Sequence, residues 1–138
     1  MGNKLIKILL VEDELTSRKT LNLFLHPLGE VDIAVNGNKA ITAVKKAIEN
    51  NKPYELIFLD IIMPELDGIT TLKKIRQLET QHEVNEYAKS KVIMTSANTE
   101  KDVILKSAQA GCTSYMIKPI DKVRLYNEIR KHGFTISE

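Results

Sequence analysis

Short apolar runs alternate along this chain with stretches of helical periodicity. Leu5-Ile6-Lys7-Ile8-Leu9-Leu10-Val11 reads as a first strand that closes on Glu12-Asp13-Glu14. From about Thr16 the apolar positions Leu21, Leu25 and Leu28 share one helical face, with Thr16 or Ser17 able to cap its start. Pro27 ends or bends that helix near His26, and Gly29 completes the stop. Val31 to Val35 alternates as a second strand, and Asn36-Gly37 reads as a turn. Ala40, Ile41, Val44, Ala47 and Ile48 recur at helical spacing up to Asn50-Asn51-Lys52-Pro53. Leu56 to Leu59 is a third strand ending on Asp60, and Ile69, Leu72, Ile75 and Leu78 give a third helix from Gly68. Residues 81–91 are polar and fit either an extension of that helix or a surface loop.

The remaining elements follow the same rhythm. Val92-Ile93-Met94 is a fourth strand closing on Thr95-Ser96, and Val103, Ile104, Ser107, Ala108 and Gly111 suit a fourth helix. Ser114 to Ile117 is a fifth strand closing on Lys118-Pro119. Asp121 caps a last helix carrying Val123, Leu125, Tyr126 and Ile129, with Phe134 and Ile136 in a loose tail. Strands alternating with helices predict an α/β fold with a parallel sheet covered on both faces. Its 138 residues suit a single domain, with a core from about Lys4 to Lys131 and a short tail over 132–138.

In a parallel sheet the strand ends share one edge, where ligands bind. Glu12, Asp13, Asp60, Thr95 and Lys118 all fall there, so three carboxylates, a hydroxyl and an ammonium converge on one crevice. Two like charges ~4 Å apart repel by ~4 kcal/mol at an effective dielectric of ~20. One lysine leaves the cluster negative, and a hard divalent cation such as Mg²⁺ suits its oxygen ligands. Met63-Pro64 holds the chain after Asp60 extended, which leaves a backbone carbonyl near Ile62 free to face a metal bound there.

The Glu12-Asp13 pair, Asp60 followed by Met63-Pro64 and Asp67-Gly68, Thr95-Ser96-Ala97 and Lys118-Pro119 together resemble the receiver domain of two-component response regulators, over nearly the whole chain. The resemblance implies the flavodoxin-like strand order 2-1-3-4-5 with five helices on both faces. It implies that Asp60 is phosphorylated by a histidine kinase or a histidine phosphotransfer protein. Asp13 and Asp60 would bind Mg²⁺, with Glu12 binding it directly or through water and the Ile62 carbonyl completing the set. Lys118 and Thr95 would contact phosphoryl oxygens, Tyr115 would be an aromatic switch, and the Lys118–Pro119 bond would be cis. A downstream protein would read the face built by the fourth helix, fifth strand and fifth helix.

Composition narrows the alternatives. A net charge of +2 gives no reason to expect direct nucleic-acid binding, and no apolar stretch reaches the ~18 residues of a membrane span. The single cysteine, Cys112, reads as a buried structural thiol and fits a reducing, cytoplasmic setting. Lys122, Arg124, Arg130 and Lys131 read as a solvated helix face. A Mg²⁺-dependent aspartyl-phosphate phosphohydrolase is the alternative, but such enzymes carry a second acid two positions after the nucleophile, where this chain has Ile62. A flavin carrier would want a Ser/Thr/Gly-rich loop after the first strand, where this chain is acidic. The reading is therefore a phosphoacceptor that catalyses its own phosphorylation rather than an enzyme. After Lys131 too little sequence remains for an output domain, as expected of a stand-alone receiver or of a piece of a larger kinase or regulator.

Overall fold

The computed structural model describes residues 5–136, so Lys4 and the last two residues lie outside the described part. Five strands, β1 (Ile6–Val11), β2 (Gly29–Ala34), β3 (Leu56–Asp60), β4 (Lys91–Ser96) and β5 (Ser114–Ile117), form one parallel sheet. Its order is β2-β1-β3-β4-β5, as the resemblance implied. The helices are α1 (Leu15–Leu25), α2 (Gly37–Glu49), α3 (Gly68–Gln81), α4 (Lys101–Gln109) and α5 (Lys122–Lys131).

The continuous apolar runs are explained by burial on both sheet faces. In β1, Leu9 and Val11 face a core shared with Ala40, Val44 and Ala47 of α2 and Leu72 and Ile75 of α3, against which Val103 of α4 also packs. Ile6, Ile8 and Leu10 face the other core, with Leu21 and Leu25 of α1 and Leu125, Tyr126 and Ile129 of α5. The central strand β3 is buried along its whole length.

Polar side chains cap the starts of α1, α2, α3 and α5. Glu14 accepts from the Ser17 N–H and caps α1, the role expected of Thr16 or Ser17. Asn36 caps α2 through the Lys39 N–H, so Asn36-Gly37 opens a helix instead of making a free turn. Gly37 is required there by packing, since a Cβ would collide with the Thr71 hydroxyl of α3. Asp67 and Asp121 cap α3 and α5, the latter as expected. Pro27 ends α1 in a 3-10 turn over His26–Leu28.

Of the two readings open for the polar stretch, the structure takes the loop, and the tail differs from expectation. Residues 82–90 leave the helix and contain a 3-10 turn at Glu86–Ala88. They are fastened by Glu79, which is 2% exposed and accepts from Arg76 Nη1 at 2.7 Å and from the Ser90 N–H at 2.8 Å. The Ser90 hydroxyl donates onward to the Tyr54 carbonyl. The tail is also packed: Ile136 is buried with the α5 core, Phe134 lies against it, and Arg130 donates to the Ile136 carbonyl. Apolar burial holds this segment, which polarity and position alone read as loose.

Candidate functional site at the strand ends

The sheet brings every polar residue singled out at the strand ends to one edge. Glu12 follows β1, Asp60 ends β3 and pairs in register with Thr95 of β4, and Lys118 follows β5. Glu12 is fully buried, Asp60 and Thr95 nearly so, and Asp13 is more exposed than either acid. Carboxylate oxygens of Glu12, Asp13 and Asp60 all lie within 4.8 Å of one another. An all-oxygen set at this separation fits a hard divalent cation.

Lys118 is the only cation that reaches this cluster among the described ion pairs. Its Nζ lies 2.7 Å from Glu12 Oε1 and 3.5 Å from Asp60 Oδ1. Burial of the ammonium opposes its charge, yet the Glu12 hydrogen bond and the two carboxylates hold its pKa above the ordinary value. Asp60 moves up to about 7, first because it is desolvated and second because the Glu12 carboxylate is beside it. Lys118 and the Ile62 backbone N–H pull it down without compensating.

The loops that carry these groups are fixed by backbone contacts. The Gly68 N–H donates to the Ile61 carbonyl, and a Cβ at Gly68 would collide with the Asp60 carbonyl oxygen. The Ile61 N–H bonds to the Thr95 carbonyl, and the Lys118 N–H to the Ser96 carbonyl. The Lys118–Pro119 bond is cis. Ile62 turns its side chain to solvent while its backbone stays beside Asp60. A cleft of about 370 Å³ opens next to Lys118, lined by Thr16, Ser17, Thr20 and Leu21 of α1 and by Ala97, Pro119 and Ile120.

Tyr115 is half-buried on β5, and its hydroxyl donates to the Asn98 carbonyl at 2.8 Å. That bond ties β5 to the loop after β4, a link that no sequence pattern encodes. Cys112 is only partly buried, contrary to the sequence reading, and desolvation raises its thiol pKa. Two arginines also went unnoticed as site neighbours. Arg18 donates to the Glu12 and Asp13 carbonyls, and Arg124 donates to the Pro119 and Ile117 carbonyls. The only sequence signal is an arginine in the first turns of α1 and of α5, the helices that follow the Glu12-Asp13 and Lys118-Pro119 loops.

This combination, a flavodoxin-like sheet with an acidic crevice faced by a lysine at its carboxyl edge, defines a class. The response regulator receiver domain family matches residues 8–130, and the chain belongs to that family. It is 33% identical over 128 residues to "Hybrid signal transduction histidine kinase L" of Dictyostelium discoideum, covering 92% of this chain and 7% of that protein. It is 30% identical over 125 residues to the chemotaxis protein CheY of Bacillus subtilis, covering 91% of this chain and 95% of CheY. Among solved structures, it is similar to the Saccharomyces cerevisiae co-crystal of the histidine phosphotransfer protein Ypd1 with the receiver domain of Ssk1. That likeness has a TM-score of 0.80 and 27% identity, and covers 96% of this chain and 92% of that one. The chain is thus a receiver domain, a phosphorylation-based signalling switch. Among the described residues no helix is long and apolar enough to cross a membrane.

The raised pKa of Asp60 has a consequence for stability. Between its ordinary value of 3.8 and about 7, the folded protein holds a proton that the unfolded chain releases. Metal-free stability therefore falls as pH rises through that window and stays reduced above it. Asp60→Asn should exceed the parent by at least ~1 kcal/mol at pH 8, an advantage that shrinks toward pH 4. Urea denaturation in chelator at several pH values measures this, and an advantage that does not grow with pH contradicts it.

Proposed function

We propose that Asp60 is the phosphoacceptor of this receiver and that the crevice is a Mg²⁺-dependent phosphoryl-transfer site. The observation that carries the reading is the buried Asp60 carboxylate, set in a three-acid cluster with Lys118 3.5 Å away. Asp13, Glu12 and Asp60 would hold the metal, together with the Ile62 carbonyl. When bound, Mg²⁺ would neutralise charge on the phosphoryl oxygens. Phosphoryl transfer relies mainly on positioning and on cancelling that charge. An Asp60 oxygen attacks the phosphorus as the bond to the donor's imidazole nitrogen breaks and its electron pair leaves with that nitrogen. Lys118 leaves Glu12 for a phosphoryl oxygen, and the Thr95 hydroxyl takes another. The cleft beside Lys118 gives the donor access between α1 and the Pro119 loop.

The donor is a histidine kinase or a histidine phosphotransfer protein, a reading supported by the likeness to the Ypd1–Ssk1 complex and to hybrid kinases. The chain acts in the cytoplasm as one receiver unit and as a phosphoacceptor, not as a turnover enzyme. The phosphohydrolase alternative is disfavoured by the solvent-facing apolar Ile62 two residues after Asp60. Incubation with acetyl phosphate and Mg²⁺ should add the mass of one phosphate to Asp60, and Asp60→Asn should take up none. Stoichiometric labelling of that variant would move the acceptor elsewhere.

Output leaves through the face of α4, β5 and α5. Phosphorylation draws Thr95 toward the phosphoryl group, the Tyr115 ring moves into the vacated space, and its bond to Asn98 is remade. This is a population shift between two packings. The face exposes Leu105 and Val123 with Lys106 and Lys122, a surface suited to an acidic partner with an apolar centre. Beryllofluoride should give the largest distal amide shifts along residues 97–126, and Thr95→Ala should abolish those shifts while sparing binding. Distal shifts that survive in Thr95→Ala would exclude this route.

A further inference from the structure

Two of the site's loops, those after β1 and β5, are each held from outside by one arginine, and the two arginines hold different parts of the chemistry. Arg18 of α1 places one nitrogen, Nη1, 3.2 Å from both the Glu12 and the Asp13 carbonyl oxygens. These two residues carry two of the three clustered acids. Arg124 of α5 donates from Nη1 to the Pro119 carbonyl at 3.0 Å and from Nη2 to the Ile117 carbonyl at 3.5 Å. Those carbonyls flank Lys118 on both sides. Each arginine lies on the helix that follows its loop, and α1 and α5 pack on the same face of the sheet.

We infer that Arg18 and Arg124 are positioning residues with divided roles: Arg18 sets the acids for the metal, and Arg124 sets Lys118 for the phosphoryl group. Neither guanidinium bonds to a carboxylate of the site, so each acts through the backbone it holds. Charge-assisted bonds to carbonyls are stronger than neutral ones and fix where the loop's side chains point. Arg18 uses a single nitrogen, which a lysine ammonium can replace. Arg124 uses both arms of its fork, which a lysine cannot reproduce.

The charge of Arg18 makes the sign of its effect diagnostic. As a cation near a cation site, it weakens Mg²⁺ binding by repulsion alone. If it served only as a nearby charge, its removal would tighten Mg²⁺. As a positioning residue, its removal loosens Mg²⁺. For Arg124 the control is lysine, which keeps the charge and loses the fork.

The inference rests on the phosphoacceptor reading of the site, and the experiment separates the two. Mg²⁺ affinity is measured by calorimetry, and beryllofluoride affinity at saturating Mg²⁺ by amide NMR titration, on the whole chain. Arg18→Ala should lose roughly threefold to tenfold in Mg²⁺ affinity, with beryllofluoride binding within about twofold of the parent, and Arg18→Lys should recover most of the loss. Arg124→Ala and Arg124→Lys should both lose roughly threefold to tenfold in beryllofluoride affinity, with Mg²⁺ binding within about twofold of the parent. A merely structural role would lower both affinities together in each variant. Equal losses on both ligands, no loss on either, or tighter Mg²⁺ in Arg18→Ala would each overturn the division of roles. A parent that binds neither ligand would overturn the site reading and the inference with it.

Discussion

The structure turns on the mutual repulsion of three carboxylates that the sheet forces together. Glu12 and Asp60 are buried, and their oxygens and those of Asp13 fall within 4.8 Å of one another. One lysine bridges two of them and leaves the third uncompensated by any described ion pair. The crowding shows in Asp60, whose proton is retained up to about pH 7 through desolvation and the Glu12 charge. A fold that keeps such a cluster favours the binding of positive charge there. Much of what surrounds the site maintains this arrangement: the cap at Asp67, the close approach at Gly68, and the register of Asp60 with Thr95.

In the proposed function, the same crowding would connect metal, phosphate and output. In this state Lys118 is held closer to Glu12 than to Asp60. On the proposed reading, charge brought to the acids would weaken the hold of Glu12 on the lysine and free it for phosphoryl oxygens. Thr95 sits beside Asp60 in the neighbouring strand, and Tyr115 follows in the next strand, paired with Met94. A change at Asp60 would thus have two registered strands to cross before it reached the surface of α4 and α5.

The site acids, Thr95 and Lys118 were legible in the sequence because each ends or follows a short apolar run. Strand order came from resemblance, and the structure agrees with it. The unread features depend on side chains reaching backbone in ways that no periodicity encodes. Arg124 looked like part of a solvated face but spans the carbonyls around Lys118. Glu79 looked like one more polar residue near a helix end but is buried and fastens the loop before β4. Ile136 looked like a loose tail residue because two apolar residues after a helix carry no pattern, yet the α5 core has room for it. Glu14 caps α1 in place of the expected Thr16 or Ser17 because the helix begins at Leu15, and a carboxylate two residues before Thr16 reaches the orphan Ser17 N–H.

The most direct measurement is the titration of the Asp60 carboxyl carbon by NMR in metal-free protein. The crowding account predicts a midpoint near 7, lowered when Glu12 is replaced by Gln and lowered again when Mg²⁺ is added to the parent. A midpoint near the ordinary carboxylate value of 3.8, unmoved by either change, would contradict it.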